Sequence, residues 1–364
     1  MKFSIPRASF FEGLQKVQNV ASNKGSLMIL QNALLHAEEG RLCITTTDLD
    51  ISERCYVECE IDNPGSTTLP VRRLAGIIRE LDEGRILFET DDEDVTVLQG
   101  GSSFFKIIGL STRDFPPVPI AEGKFSYSID QGVFREMLRK TCYAVSQDET
   151  RRVLNGVLMA FKDGKLTMVA TDGRRLSLVE QEIEFPAEAE IEMILPVKAV
   201  SELMRVLGSE GDLKIYSQKN QAIFEFGDIM ISSKLIDGVY PNYRQVIPAS
   251  SEERVVVGRS ALLSALRRVS VVTTDKSNST KLTFSANQLV INSNTPDVGE
   301  GRDTVPIKYA GKEISIVFNP EYLMDPLKNI DDDEVFIELN DGHSPALIKC
   351  SVPFIYVLMP LRIN

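Results

Sequence analysis

Residues 69–81 read LPVRRLAGIIREL, and residues 195–207 read LPVKAVSELMRVL. Leu, Pro and Val open both stretches and Leu closes both. Arg79 and Arg205 share a position, and most other positions keep their character. A third version, FNPEYLMDPLKNI, occupies 318–330. There Asn319 is positioned to cap a helix and Pro320 to start it, whereas Pro326 should kink or shorten it. Recurrence at a fixed spacing is the mark of a duplicated structural unit.

The flanking sequence repeats as well. SIPRASFFEGLQKVQNVAS from Ser4, SIDQGVFREMLRKTCYAVS from Ser128 and GRSALLSALRRVSVV from Gly258 align Phe10 with Phe134 and Leu262, and Leu14 with Leu138 and Leu266. Apolar pairs four residues apart lie on one helix face. RLCITTTDL, KLTMVATDG and QLVINSNTP alternate as half-buried strands do, and they align Leu42, Leu166 and Leu289. The copies close on RDFPPVP (113–119), GVYPNYRQVIP (238–248) and FIYVLMP (354–360). The chain therefore reads as three copies, 1–122, 123–244 and 245–364. Each has two helices and several short, locally paired strands, which makes the class α+β.

Composition bounds the function. The N-terminal MKFSIPRASFF has no long apolar stretch, and no apolar run approaches membrane-spanning length, so a soluble, cytoplasmic chain with no membrane partner is expected. Five cysteines, with no C-x-x-C pair, fit reduced thiols. His36 and His343 are the only histidines, which argues against a zinc site or a histidine base. No metal or cofactor is expected.

A net charge of −12 speaks against nucleic acid only if the charge is evenly spread. It is not. Lys16, Lys140 and Arg268 are equivalent in the first helix of each copy, and Arg79, Arg205 and Lys328 in the second. One basic helix is most simply a solvated face. Six cations in six equivalent slots suggest a surface that meets phosphates without reading bases.

With repeats, basic helices and an acidic remainder in view, the chain resembles the bacterial sliding clamps, the beta subunits of DNA polymerase III. The resemblance runs end to end. It rests on TTTDLDIS (45–52), TRDFPPVP (112–119), QDETRRVLNGVLM (147–159), VATDGRRLSLV (169–179), SKLIDGVYPNYRQVIP (233–248), FNPEYL (318–323) and YVLMPLRIN (356–364). It implies three domains of the DNA-clamp fold per chain and a head-to-tail homodimer, closed as a six-domain ring around double-stranded DNA. It further implies that Lys24, Arg72, Arg73, Arg79, Arg151, Arg152, Lys198 and Arg205 face the DNA. The dimer contact is expected from the apolar edge FFKIIG (104–109), through Phe105 and Ile107, against Val271 and Val272 of VSVVTT (269–274). Pairing such an edge removes an aggregation hazard.

TDGRRLSL (171–178) by itself reads as a turn. The resemblance makes it one wall of a peptide pocket, with the C-terminal run as another. Carried over by motif position, the pocket is Leu154, Thr171, Gly173, Arg174, Arg175, Leu176, Pro241, Val246, Asn319, Tyr322, Met359, Pro360, Leu361 and Arg362. Met is suited to a surface that accepts several partners. Those partners would be the replicative polymerase's catalytic subunit, the clamp loader and other proteins carrying a clamp-binding motif. Gln245 and Arg174 depart from the Arg and His frequent in the family, and DGHSPALIKC (341–350) matches it loosely. Two other readings remain. One is a three-repeat protein scaffold that never encloses DNA, which the shared basic slots argue against. The other is an enzyme using Asp172 and the arginine pair. No Ser/His/Asp or Cys/His set, P-loop or metal-spaced carboxylate cluster accompanies those residues, so a non-enzymatic chain is expected.

Overall fold

Strand runs directly into helix six times in this chain. The computed structural model describes residues 1–22, 27–121, 125–274, 277–296 and 298–362. The six helices are α1 (Arg7–Val17), α2 (Val71–Glu80), α3 (Gln131–Thr141), α4 (Val197–Val206), α5 (Arg259–Val269) and α6 (Pro320–Asn329). Each follows a short strand and is followed by a run of antiparallel strands. Every copy therefore contains the order βαβββ twice, a finer repeat than the sequence suggested. The strand-to-helix joint is built from residues that fix φ or supply a cap. Pro6, Pro70 and Pro196 precede α1, α2 and α4. Asp130 Oδ1 accepts from the Val133 N–H at 3.1 Å, and Asn319 Oδ1 accepts from the Glu321 N–H at 2.9 Å.

The expected core positions are buried. Phe10, Leu14, Phe134, Leu138, Leu262, Leu266, Leu42, Leu166 and Leu289 have no exposed surface. In the first copy, the Phe3 and Phe88 rings stack at 4.5 Å and Phe10 meets both edge-on at 6.3 Å, a favoured aromatic arrangement.

The expectation of purely local strand pairing is corrected. The chain forms two compact units, Met1–Arg135 with Lys198–Leu235, and Glu136–Val197 with Ile236–Asn364. Each sheet junction spans two copies. In the first unit, Ile229–Lys234 pairs antiparallel with Ile51–Glu58. In the second, Phe354–Leu358 pairs antiparallel with Arg175–Glu182. The central copy is thus divided, its second half completing a sheet begun by the first copy and its first half a sheet completed by the third. Edge-to-edge pairing satisfies backbone groups that a self-contained copy would leave exposed.

Pro326 lies inside α6 and is buried. A proline has no N–H for the carbonyl four residues back, here Tyr322. The Tyr356 hydroxyl supplies the missing donor, reaching the Tyr322 carbonyl at 2.8 Å. The helix tolerates its proline because a strand from the same unit completes the hydrogen bond.

Candidate functional site

The second unit holds a cavity of about 820 Å³ beside its sheet junction. One wall is the turn before Arg175–Glu182. Asp172 Oδ1 accepts from the N–H groups of Arg174 (2.8 Å) and Arg175 (3.0 Å). The Thr171 hydroxyl donates to the Arg175 carbonyl at 2.6 Å and accepts from the Gly173 N–H at 3.1 Å. Gly173 has φ +86°, a conformation that glycine adopts without strain. The turn reading holds, and the Asp-Gly turn fixes the rim of this cavity.

Arg175 is the centre of the wall. Its Nε donates to Asp172 Oδ2 at 3.1 Å and one Nη to the Tyr143 carbonyl at 2.6 Å. The other Nη pairs with Asp325 of α6, and the guanidinium lies 4.2 Å from the centre of the Tyr322 ring. Every face of the guanidinium is engaged, so Arg175 ties the strand, the Cys142–Ala144 turn and α6 together. Burial pushes the Tyr143 and Tyr356 phenols above their ordinary range, so both stay neutral. Tyr143 shares a hydrogen bond with Ser177 at 3.2 Å.

The chain's last stretch is tied to the same turn but does not line this cavity. The Met359 N–H donates to the Arg174 carbonyl at 3.0 Å, and the Leu361 N–H to the Val317 carbonyl at 2.8 Å. Met359 and Leu361 are 42 % and 40 % exposed, large apolar side chains held out by a backbone that is itself tied down. Gly173, Arg174, Arg175 and Tyr322 line the cavity. Leu154 and Leu176 instead belong to an apolar cluster on the sheet face opposite Arg175. Thr171 and Pro360 are half-buried, and Pro241, Val246 and Arg362 are exposed. Asn319 spends its side-chain oxygen on the α6 cap. Sequence reasoning missed Tyr143, Asp148, Glu321 and Asp325 on the cavity wall. Asp325 was open to notice: it stands three residues after Tyr322, on the same helix face.

The cations divide into two groups. The six aligned slots all prove to be the penultimate residue of their helix, where a cation faces the negative end of the helix dipole. Each also has an acidic partner: Lys16 with Glu12, Arg79 with Glu80, Lys140 with Glu136, Arg205 with Glu202, Arg268 with Asp303 and Lys328 with Asp325. Their recurrence thus has a local cause. Arg205 goes further: it donates to the Gln15 and Lys16 carbonyls and lies 3.5 Å from Glu53, whose carboxyl is fully buried. Among the described residues, Glu53 Oε1 has no hydrogen-bond partner. Burial, then the neighbouring Glu202, push the Glu53 carboxyl well above its ordinary value, with Arg205 pulling the other way. Arg7, Arg135 and Arg259, part of the basic helix character, cap the carbonyls of Ile78, Met204 and Leu327 at the ends of α2, α4 and α6. Arg72, Arg73, Arg151, Arg152 and Lys198 are exposed. Of these, Lys198 is paired with Asp48 and Arg151 lies 3.6 Å from Asp148. Lys24 lies outside the described residues.

The residues expected at the dimer contact differ in exposure. Ser103–Ile108 is an edge strand, paired only with Val95–Gly100. Strand alternation turns Phe104 and Ile108 outward, at 64 % and 74 % exposed, and turns Ile107 inward, at 5 %. Phe105 and Val272 are half-buried, and Val271 is exposed.

Three family models match, all for the DNA polymerase III beta subunit: its N-terminal domain over 1–119, its central domain over 128–242 and its C-terminal domain over 244–362. The beta sliding clamp of Chlamydia muridarum is 32 % identical over 364 residues and all of both chains. The crystal structure of the Pseudomonas aeruginosa DNA polymerase III subunit beta matches with a TM-score of 0.95, at 32 % identity, over the whole of both chains. A Pseudomonas aeruginosa clamp bound to griselimycin matches equally fully, with a TM-score of 0.96 at 32 % identity. The chain thus has the three mixed helix-and-sheet domains of those clamps. It belongs to the bacterial DNA polymerase III beta subunit family, the DNA sliding clamps.

Proposed function

We propose that this sliding clamp closes head to tail with a second copy around duplex DNA, and that the Thr171–Arg175 turn and the exposed tail around Met359 hold short peptides of the polymerase catalytic subunit, the clamp loader and other replication and repair proteins. One observation carries the closure. Ile51–Glu58, Arg175–Glu182 and Gly299–Lys308 start 124 residues apart and are the fourth strand of each copy. The first two each pair with the last strand of the following copy. Among the described residues, Gly299–Pro306 has only Gln288–Thr295 beside it, and Ser103–Ile108, the last strand of the first copy, has an open edge. The two unused edges are the halves of a third junction, of the heterologous kind that closes a ring.

The register follows from the two junctions already made. Ile51 faces Ser233 and Arg175 faces Leu358. The same offset sets Gly299 opposite Ile107 of a second copy, Glu300 opposite Lys106, and Gly301 opposite Phe105. Opposite charges meet at the second pair. At the third, a Cβ on Gly301 would lie 3.3 Å from Val272 Cγ2, so the absent side chain leaves Phe105 room against Val272. A ring holds DNA by topology, so each phosphate contact can be weak and the clamp can slide. Tethering raises the local concentration of a bound polymerase without altering its chemistry. The test is absolute mass by light scattering. The 40.5 kDa chain should give a dimer, Lys106→Glu a monomer, and Lys106→Glu mixed with Glu300→Lys a dimer again. A wild-type monomer at all concentrations, or a dimer indifferent to both substitutions, would remove the closure described.

A further inference from the structure

The open edge of Ser103–Ile108 holds an aromatic side chain, Phe104, out in water. The offset that sets Glu300 opposite Lys106 of a second copy also sets Arg302 opposite Phe104 of that copy. Both side chains lie on the sheet face away from the helices. Asp303 pairs with Arg268 of α5, so its neighbour Arg302 points the other way. Ile107 is buried, so Phe104, three residues before it, also points outward.

The two junctions already made show what this position can hold. Arg54 faces Met230 in the first, and Leu178 faces Ile355 in the second. Arg54 is tied down by its donation to the Val118 carbonyl at 3.0 Å. Arg302 is exposed and has no such tie among the described residues, its neighbouring carboxylate being taken by Arg268. The chain also packs a guanidinium on a ring across paired strands. Arg254 reaches diagonally to Phe336 on the adjacent antiparallel strand, 4.2 Å from the ring centre. Directly facing positions stand closer than diagonal ones, so the same contact is within reach of Phe104 and Arg302.

We infer that Phe104 stacks on Arg302 of a second copy, and that this contact selects which chain is accepted as ring partner. The inference rests on the closure proposed above. The face of an aromatic ring is electronegative, so it attracts a guanidinium and refuses a carboxylate. A chain with an anion at position 302 loses the contact. A chain with a cation at position 104 sets two like charges against each other. The outer face of the junction thus reads both positions, by attraction and by repulsion.

Light scattering of the full chain over a dilution series tests this. Phe104→Trp keeps a ring face and should keep the dimer. Phe104→Leu keeps only apolar bulk and should weaken it about tenfold. Phe104→Arg opposes guanidinium groups at both junctions of the ring and should weaken it about a hundredfold. Arg302→Glu should weaken it as well. Phe104→Arg mixed with Arg302→Glu should associate more tightly than either alone, because one junction gains an ion pair and the other keeps the native contact. All these positions are exposed, so the melting temperature of the monomer should hold. If Phe104→Leu dimerises as tightly as the wild type, or the mixture gains nothing over its parts, the contact is wrong, and the closure stands on Lys106 and Glu300. If the wild type itself stays monomeric, the closure falls and takes the contact with it.

Discussion

Two sheet junctions in this chain share a backbone and differ in what their side chains do with it. In the second unit, Leu176 faces Val357 and Leu178 faces Ile355 on the outer face. In the first unit, the same positions are Ser52 with Ser232 and Arg54 with Met230. The tail Met359 meets Arg174 through a backbone hydrogen bond. Its counterpart Lys234 makes the same bond to Asp50 and adds an ion pair at 3.1 Å. Lys198 closes on Asp48 in the first unit, where the second keeps Gly173 and an exposed Arg174. Beneath the sheet the charges are exchanged. The strand offers Arg175 to Asp325 of α6 in the second unit, and Glu53 to Arg205 of α4 in the first. The duplicated backbone thus supplies two equivalent places for a pocket. Serines and ion pairs seal one, while leucines and an apolar tail open the other.

The largest expected effect is at the sealed junction. Arg205→Ala would strip Glu53 and Glu202 of their shared cation and should cost about 3 kcal/mol, read by denaturant unfolding. The Glu53 carboxyl has a raised folded-state pKa, so its protonated form favours the fold. That contribution is complete below the ordinary carboxyl value and is lost as pH rises through the raised one. Glu53→Gln, which keeps the neutral shape, should therefore gain stability over the wild type steadily from pH 5 to pH 8. A difference that does not grow with pH would mean Glu53 is held ionised.

At the open junction the expected effect is smaller. Tyr356→Phe leaves the Tyr322 carbonyl without a donor and should cost about 1–3 kcal/mol. In a Pro326→Ala background the helix regains its own N–H, so the same change should cost measurably less. Additive costs would mean the Tyr356 hydroxyl is not completing the helix. Next comes Met359→Lys, which gives the open junction the residue found at the sealed one. Met359 is 42 % exposed, so the melting temperature should hold while affinity for an anchor peptide falls about tenfold.

Much of this was legible in the sequence because period and burial are local. The Leu42, Leu166 and Leu289 strands and the Phe10, Phe134 and Leu262 helices declare themselves by spacing, and all are buried. What stayed hidden depends on partners distant in the chain. Nothing near Pro326 announces that a hydroxyl 30 residues later completes its helix. The sequence of α4 gives no sign that Arg205 reaches Glu53 more than 150 residues earlier. The inward turn of Ile107 is a matter of one residue of register, which FFKIIG, apolar at nearly every position, leaves open. Gly173, Arg174 and Tyr322 of the pocket motif line the cavity, but Asp325 and Tyr143 become visible only once Arg175 has drawn them together.

The smallest effect separates the two groups of cations. The aligned slots suggested a phosphate-facing surface, yet each slot residue ends a helix beside a carboxylate. Arg73 lies outside the slots and is exposed on α2, as is Arg79, which is committed to Glu80 at 2.8 Å. Phosphate contact releases counterions, so removing a true contact lowers the salt slope of DNA binding by about one. Arg73→Ala should do this on linear duplex, and Arg79→Ala should do less, because its charge is already balanced locally. Equal slopes for both would return the slot residues to the DNA surface. A larger effect at Arg79 would mean that the ion pair with Glu80 opens when phosphate arrives, and the pairing seen in the free protein would then be a resting state of the contact, not a substitute for it.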